Sequence, residues 1–153
     1  MDIASLWLNE LPPSDNLRFI GKRRVLSPRA REFYELLTKA WKDMDLPRFT
    51  GWVQVSLVIV WPDRRRRDPA NLWKCNGDGL QRAGAVVDDC RILPVVEAVY
   101  RAGEKVAKGY GGSRVRSYEG GPLIPPAIGR DGGLYIEVSQ ADVERIPLGE
   151  RGQ

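Results

Sequence analysis

The apolar positions of this chain follow two periodicities, one near 2 and one near 3.6, in separate segments. Ile3 to Leu8 suits a short strand, and Pro12, Pro13, Ser14 and Asn16 after it read as a turn-rich loop. Ser27-Pro28 combines a capping hydroxyl with a residue whose fixed φ fits a first helical turn. Beyond it Phe33, Leu36, Leu37, Ala40, Trp41 and Met44 recur at helical spacing, with Arg31, Glu35, Lys39 and Lys42 largely on the other side. This predicts an amphipathic helix that ends near Asp45 and keeps its aromatics in the core. Trp52 to Trp61 is the strongest strand. Its polar alternates are confined to Gln54 and Ser56, and its second half is apolar on both faces, which predicts a central place in a sheet.

Asp68 is placed to cap a second helix, with Pro69 in its first turn. At about 100° per residue, Asn71, Lys74 and Asp78 share a narrow sector, while Leu72, Leu80 and Ala83 lie roughly opposite. Asn76 falls toward the apolar side with nothing in the pattern to explain it, and Gly77 and Gly79 weaken the helix. Gly84 suits a carboxy-terminal cap, after which Ala85-Val86-Val87 reads as extended into Asp88-Asp89. Ile92 to Tyr100 predicts a strand interrupted or edged at Pro94, and Leu134 to Val138 a last strand. The segment from Lys108 to Gly133 is rich in Gly, Pro, Ser and Arg and predicts a loop-like insertion; the tail after Pro147 is expected to fray. With 153 residues and 42% hydrophobic content, the expectation is one α/β (α+β) domain over 1–153, a mixed sheet packed with two main helices.

Charge narrows the partner. The formal net charge is +4, and the cations cluster at Lys22, Arg23 and Arg24, at Arg64, Arg65, Arg66 and Arg67, and between Lys105 and Arg116. Such clusters favour a nucleic acid or another phosphate partner, although solubility also accounts for them. Within the insertion, Tyr110, Arg114, Arg116 and Tyr118 either clasp a nucleic acid or decorate a solvated loop. No stretch reaches the roughly 20 apolar residues that cross a bilayer, and the first residues lack the basic start and apolar run of a secretory signal, so a cytoplasmic protein with no membrane partner is expected.

The chain has no histidine. That excludes Ser-His-Asp and Cys-His triads, HExxH zinc sites and an imidazole general base. Cys75 and Cys90 form no CxxC pair and are expected to be small, partly buried side chains. Hydrolytic chemistry would therefore depend on carboxylates, lysine or a metal, and an all-oxygen ligand set selects a hard ion such as Mg²⁺ or Mn²⁺.

These considerations converge on Arg64 to Asp89. Four arginines precede Asp68, Asn71, Lys74 and Asp78, and the paired acids Asp88 and Asp89 follow one helix later. One reading is a surface helix with ion pairs, Lys74 and Asp78 standing at the i,i+4 spacing worth only tenths of a kcal/mol. The other is a site in which clustered acids hold a cation against a phosphate, since acids grouped without a cation repel.

The string PDRRRRDPANLWK, followed by Asp78-Gly79-Leu80, Ala83-Gly84 and Asp88-Asp89, resembles the RusA family of phage and prophage Holliday junction resolvases. Pro12-Pro13-Ser14 with Asn16 looks like that family's PPSxN element. The resemblance runs from the first loop through Asp89 and leaves out Lys108 to Gly133. It implies a small α/β homodimer that binds four-way or otherwise branched DNA and makes paired symmetric nicks with Mg²⁺ or Mn²⁺. It further implies catalytic roles for Asp68, Lys74 and Asp89, with metal held by Asp68, Asp88 and Asp89 and with Asp78 and Asn71 as additional candidates. DNA contacts are expected from Arg64–Arg67, Lys22, Arg23, Arg24 and Asn16. The chain departs from the family at Ala70, where a second essential aspartate is usual. Either Asp78 or Asp88 fills that gap, or the protein binds junctions without cutting them.

Overall fold

The computed structural model describes residues 3–14, 17–62, 67–101 and 132–141. In chain order the elements are β1 (Ile3–Leu8), β2 (Leu17–Ile20), β3 (Arg23–Leu26), α1 (Pro28–Asp43), β4 (Val53–Trp61), a 3₁₀ turn (Pro69–Leu72), α2 (Trp73–Arg82), a second 3₁₀ turn (Asp89–Arg91), β5 (Ile92–Arg101) and β6 (Gly133–Gln140). Four strands form a mixed sheet in the order β1-β6-β4-β5, and β2 and β3 form a separate hairpin. The mixed α+β architecture matches the expectation from periodicity. Asn16, Arg64, Arg65, Arg66, most of the predicted insertion and the tail lie outside the described residues.

β4 takes the central place that its double-sided apolar half requires, with β6 antiparallel on one side and β5 parallel on the other. Val53, Val55, Leu57, Ile59 and Trp61 join Leu6, Leu8, Leu134, Ile136 and Val138 against Phe33, Leu37 and Trp41 of α1 and Leu80 of α2. Each such side chain contributes about 1.5–3 kcal/mol when fully buried, so this face of the sheet dominates stability. β5 is an edge strand, which is where Pro94 is tolerated.

Local signals hold where they carry a mechanism. Ser27 Oγ accepts the Ala30 N–H at 3.1 Å and opens α1. The helix closes at Asp43, two residues before the predicted end, because Asp45 adopts a left-handed φ of 50°. Gly84 caps the far end of α2 with φ 79°. The glycines of α2 serve contact: a Cβ on Gly79 would stand 3.0 Å from Leu37 and 3.3 Å from Phe33 and Tyr34, so its absence lets the two helices close on each other.

Four expectations need correction. The helix predicted from Asp68 begins as a 3₁₀ turn and becomes α-helical only at Trp73. Residues 85–89 are not a continuous extended run: Val86 makes one parallel bridge to Phe49, and Asp89 opens a 3₁₀ turn because the Asp88 carboxylate captures the Cys90 N–H at 3.0 Å. Of the two cysteines, expected to be alike, Cys75 is buried and Cys90 exposed. The β2–β3 hairpin is unpredicted. Its two-residue loop, Gly21-Lys22, has φ 60° at Gly21, as the turns that match strand twist require, but its flanking strands lack clean alternation.

Asn76 is fully buried with neither Nδ2 nor Oδ1 hydrogen-bonded. An unsatisfied buried polar group costs about 1–3 kcal/mol. Asn76→Leu, of similar shape, is expected to raise the unfolding free energy by about that amount at an unchanged denaturant slope in urea titration. Destabilisation instead would mean that the amide has a partner in solution.

Candidate functional site

The parallel pairing of β4 and β5 requires a crossover, and the segment from Asp68 to Asp89 supplies it. It leaves the end of β4, runs back as the 3₁₀ turn and α2, and reaches Asp89 just before β5. The face of this crossover turned from the core carries the polar residues the sequence singled out. Asn71 and Lys74 are exposed and Asp78 is half-buried on it, in the sector expected from their spacing.

At one end is a cavity of about 630 Å³, where the loop from Asn9 to Ser14 meets the first turn of α1, the end of β4 and the start of the crossover. Pro12, Pro13, Ser14, Arg67, Asp68 and Asn71 all line it, so the two motifs of the family resemblance, distant in sequence, face one space. Asp68 Oδ1 accepts the Ala70 N–H at 2.9 Å, which fixes the first turn and leaves its second oxygen available. Arg67 places its guanidinium 5.5 Å from the centre of the Trp61 ring. Arg29 and Glu32, also in the lining, carried no signal in the sequence beyond their place near the start of α1.

At the other end the Asp78 and Asp89 carboxyls come within hydrogen-bonding reach of each other. Gly77 makes room: a Cβ there would lie 3.5 Å from that of Asp89. Gln81, which sequence reasoning missed although it stands three residues after Asp78 on the same helical side, accepts the Asp89 N–H at 3.1 Å and holds the backbone in place. Lys74 Nζ is 3.7 Å from Asp78, so the ion pair foreseen as the bland alternative is present alongside the acid pair.

The electrostatics follow from this geometry. The Asp78 carboxyl, first by sharing a hydrogen bond, then partial burial and the charges of Asp78 and Asp88, push Asp89 above the ordinary aspartate range against the pull of Lys74. Asp88 is shifted the other way, chiefly by the Cys90 N–H. Asp88 thus serves as the cap of the second 3₁₀ turn.

Asp68 does not join this pair. It lies instead in the lining of the cavity. Among the described residues no group of three Asp, Glu, Cys or His side chains is placed to hold a metal. Two carboxylates whose mutual repulsion a cation relieves, beside an open polar surface, do fit Mg²⁺, which is commonly held by one or two carboxylates with water and substrate phosphate completing its shell. Asp78 and Asp89 would hold it.

Comparison with known proteins finds 27% identity over 103 residues to the crossover junction endodeoxyribonuclease RusA of Aquifex aeolicus (strain VF5), covering 62% of this chain and 79% of that protein. The chain is similar to a RusA nuclease. No family model matches it. Among the described residues no helix is long and apolar enough to cross a membrane.

The raised Asp89 has a direct consequence for stability. The fold favours its protonated form, so its contribution is complete below the usual value of 3.8 and is lost as pH rises through the raised one. Asp89→Asn should therefore unfold at a higher temperature than the parent at pH 7 in metal-free buffer, with the gap closing below pH 3.8. Calorimetry across pH checks this; a gap that widens on acidification would contradict it.

Proposed function

We propose that this protein is a metal-dependent endodeoxyribonuclease that resolves four-way DNA junctions by paired symmetric nicks, acting as a homodimer with one site per subunit. The observation that carries this reading is the approach of Asp78 and Asp89 beside Lys74, on a stripe that leads to the cavity lined by Asp68 and Asn71. Similarity to a RusA nuclease supports the substrate class.

On this reading Asp78 takes the place of the acid missing at Ala70, and Asp78 and Asp89 hold the cation through their carboxylate oxygens. A bound Mg²⁺ or Mn²⁺ supplies charge neutralisation at the scissile phosphate and a more acidic water for the attack. Lys74 turns its ammonium from Asp78 to the negative charge that develops on the phosphate or the leaving oxygen. Asp68, at the cavity end, orients the strand entering the site through its free carboxylate oxygen. Arg67, with Arg64, Arg65 and Arg66, binds the flanking phosphates, and Lys22, Arg23 and Arg24 extend the contact along a duplex arm. A symmetric branch needs two cuts, which a twofold dimer supplies.

A second reading, junction binding without cleavage, draws on the absence of a three-acid group among the described residues. Incubation of labelled four-way DNA with Mg²⁺ or Mn²⁺ separates the two: paired nicks support the enzyme, whereas tight binding with no nicks in either metal supports the binder. For the enzyme, Asp89→Asn and Lys74→Ala should each lower nicking on the order of 10²-fold or more while junction affinity changes only a few-fold. A parallel loss of binding and nicking would assign these residues to folding instead.

A second expected outcome concerns the cation alone. Mg²⁺ should raise the unfolding midpoint of the parent protein and leave that of Asp78→Asn nearly unchanged, since only the parent keeps both acids. Equal responses in thermal melts would move the metal away from this pair.

A further inference from the structure

The cavity at the Asp68 end is larger than a phosphate needs. At about 630 Å³ it falls within the roughly 300–1,000 Å³ of pockets that enclose a small organic ligand. Among the described residues of its lining, two guanidiniums, Arg29 and Arg67, stand with three carboxylates, Glu10, Glu32 and Asp68, so donors and acceptors are mixed around one space. A nucleobase suits it, being flat and uncharged with donors and acceptors on its edges. Carboxylates accept from exocyclic amino groups and guanidiniums donate to ring nitrogens and carbonyls. The Trp61 ring and the Leu72 side chain, both nearly buried, supply apolar wall.

We infer that this cavity takes a single nucleobase, unstacked from branched DNA, and fixes the register of the strand across the Asp78–Asp89 end. The inference rests on the nuclease reading for its DNA partner but assigns the cavity a role which that reading does not require. Binding a base in this way spends the energy of unpairing it, an expense that falls when the base has no partner to lose.

The test uses synthetic four-way junctions in which the partner of each branch-point base is replaced in turn by an abasic residue, with Ca²⁺ in place of Mg²⁺ and affinity read by fluorescence anisotropy. One position should tighten binding by about tenfold or more, because the unpairing has been done beforehand. Ser14 lies exposed on the cavity rim, so Ser14→Trp should obstruct its mouth without disturbing the core. That variant is expected to bind the intact junction within a few-fold of the parent and to lose the preference. Glu32→Gln, which keeps the shape and removes one acceptor, should reduce it. A flat profile with sound junction binding overturns the cavity assignment alone, and a preference that survives Ser14→Trp overturns the cavity as its location. Failure of the parent protein to bind any junction overturns the nuclease reading and this inference together.

Discussion

Parallel pairing of β4 with β5 is the constraint on which the rest depends. Two parallel neighbours cannot be joined by a tight turn, so the chain must cross over and return, and the returning helix must bury one face on the sheet. Leu72, Cys75 and Leu80 make that buried face, and Phe33, Tyr34 and Leu37 of α1 close against Gly79. Once these contacts are made, the opposite face of α2 is fixed toward solvent. Asn71, Lys74 and Asp78 are thereby set in line, and the chain must pass Asp89 beside Gly77 to begin β5.

The acid pair shows how packing produces chemistry. An isolated Asp78 or Asp89 would be an ordinary surface carboxylate. Brought together, with Gln81 fixing the Asp89 backbone, they raise the affinity of Asp89 for a proton and leave a local excess of negative charge that Lys74 offsets only in part. The same arrangement that makes the metal-free pair unfavourable would make a divalent cation favourable, because a charge that relieves repulsion gains more than one bound to a single carboxylate. The ion pair and the candidate site are two states of one side-chain set.

Much of this was legible in the sequence, for identifiable reasons. β4 and α1 announce themselves because burial imposes periodicity on many residues at once, and the angular sector shared by Asn71, Lys74 and Asp78 survives the 3₁₀ start because those residues lie on or beside the regular helix. The approach of Asp89 to Asp78 was open among alternatives, since distance across a crossover is set by packing. Arg29 and Glu32 were invisible for a related reason: an arginine and a glutamate near the start of a helix look like surface charge until another loop folds over them. The hairpin was missed because its strands of four residues each are too short to display a period.

The two glycines inside α2 bear on when the site exists. Each costs a helix about 1 kcal/mol relative to alanine, and a ten-residue helix is marginal in isolation even without them. The segment therefore has little reason to be helical before α1 and the sheet are there to receive it. Asp78 and Asp89 become neighbours only in the finished domain, and a chain still emerging from synthesis or partly unfolded carries the residues of the site without the site.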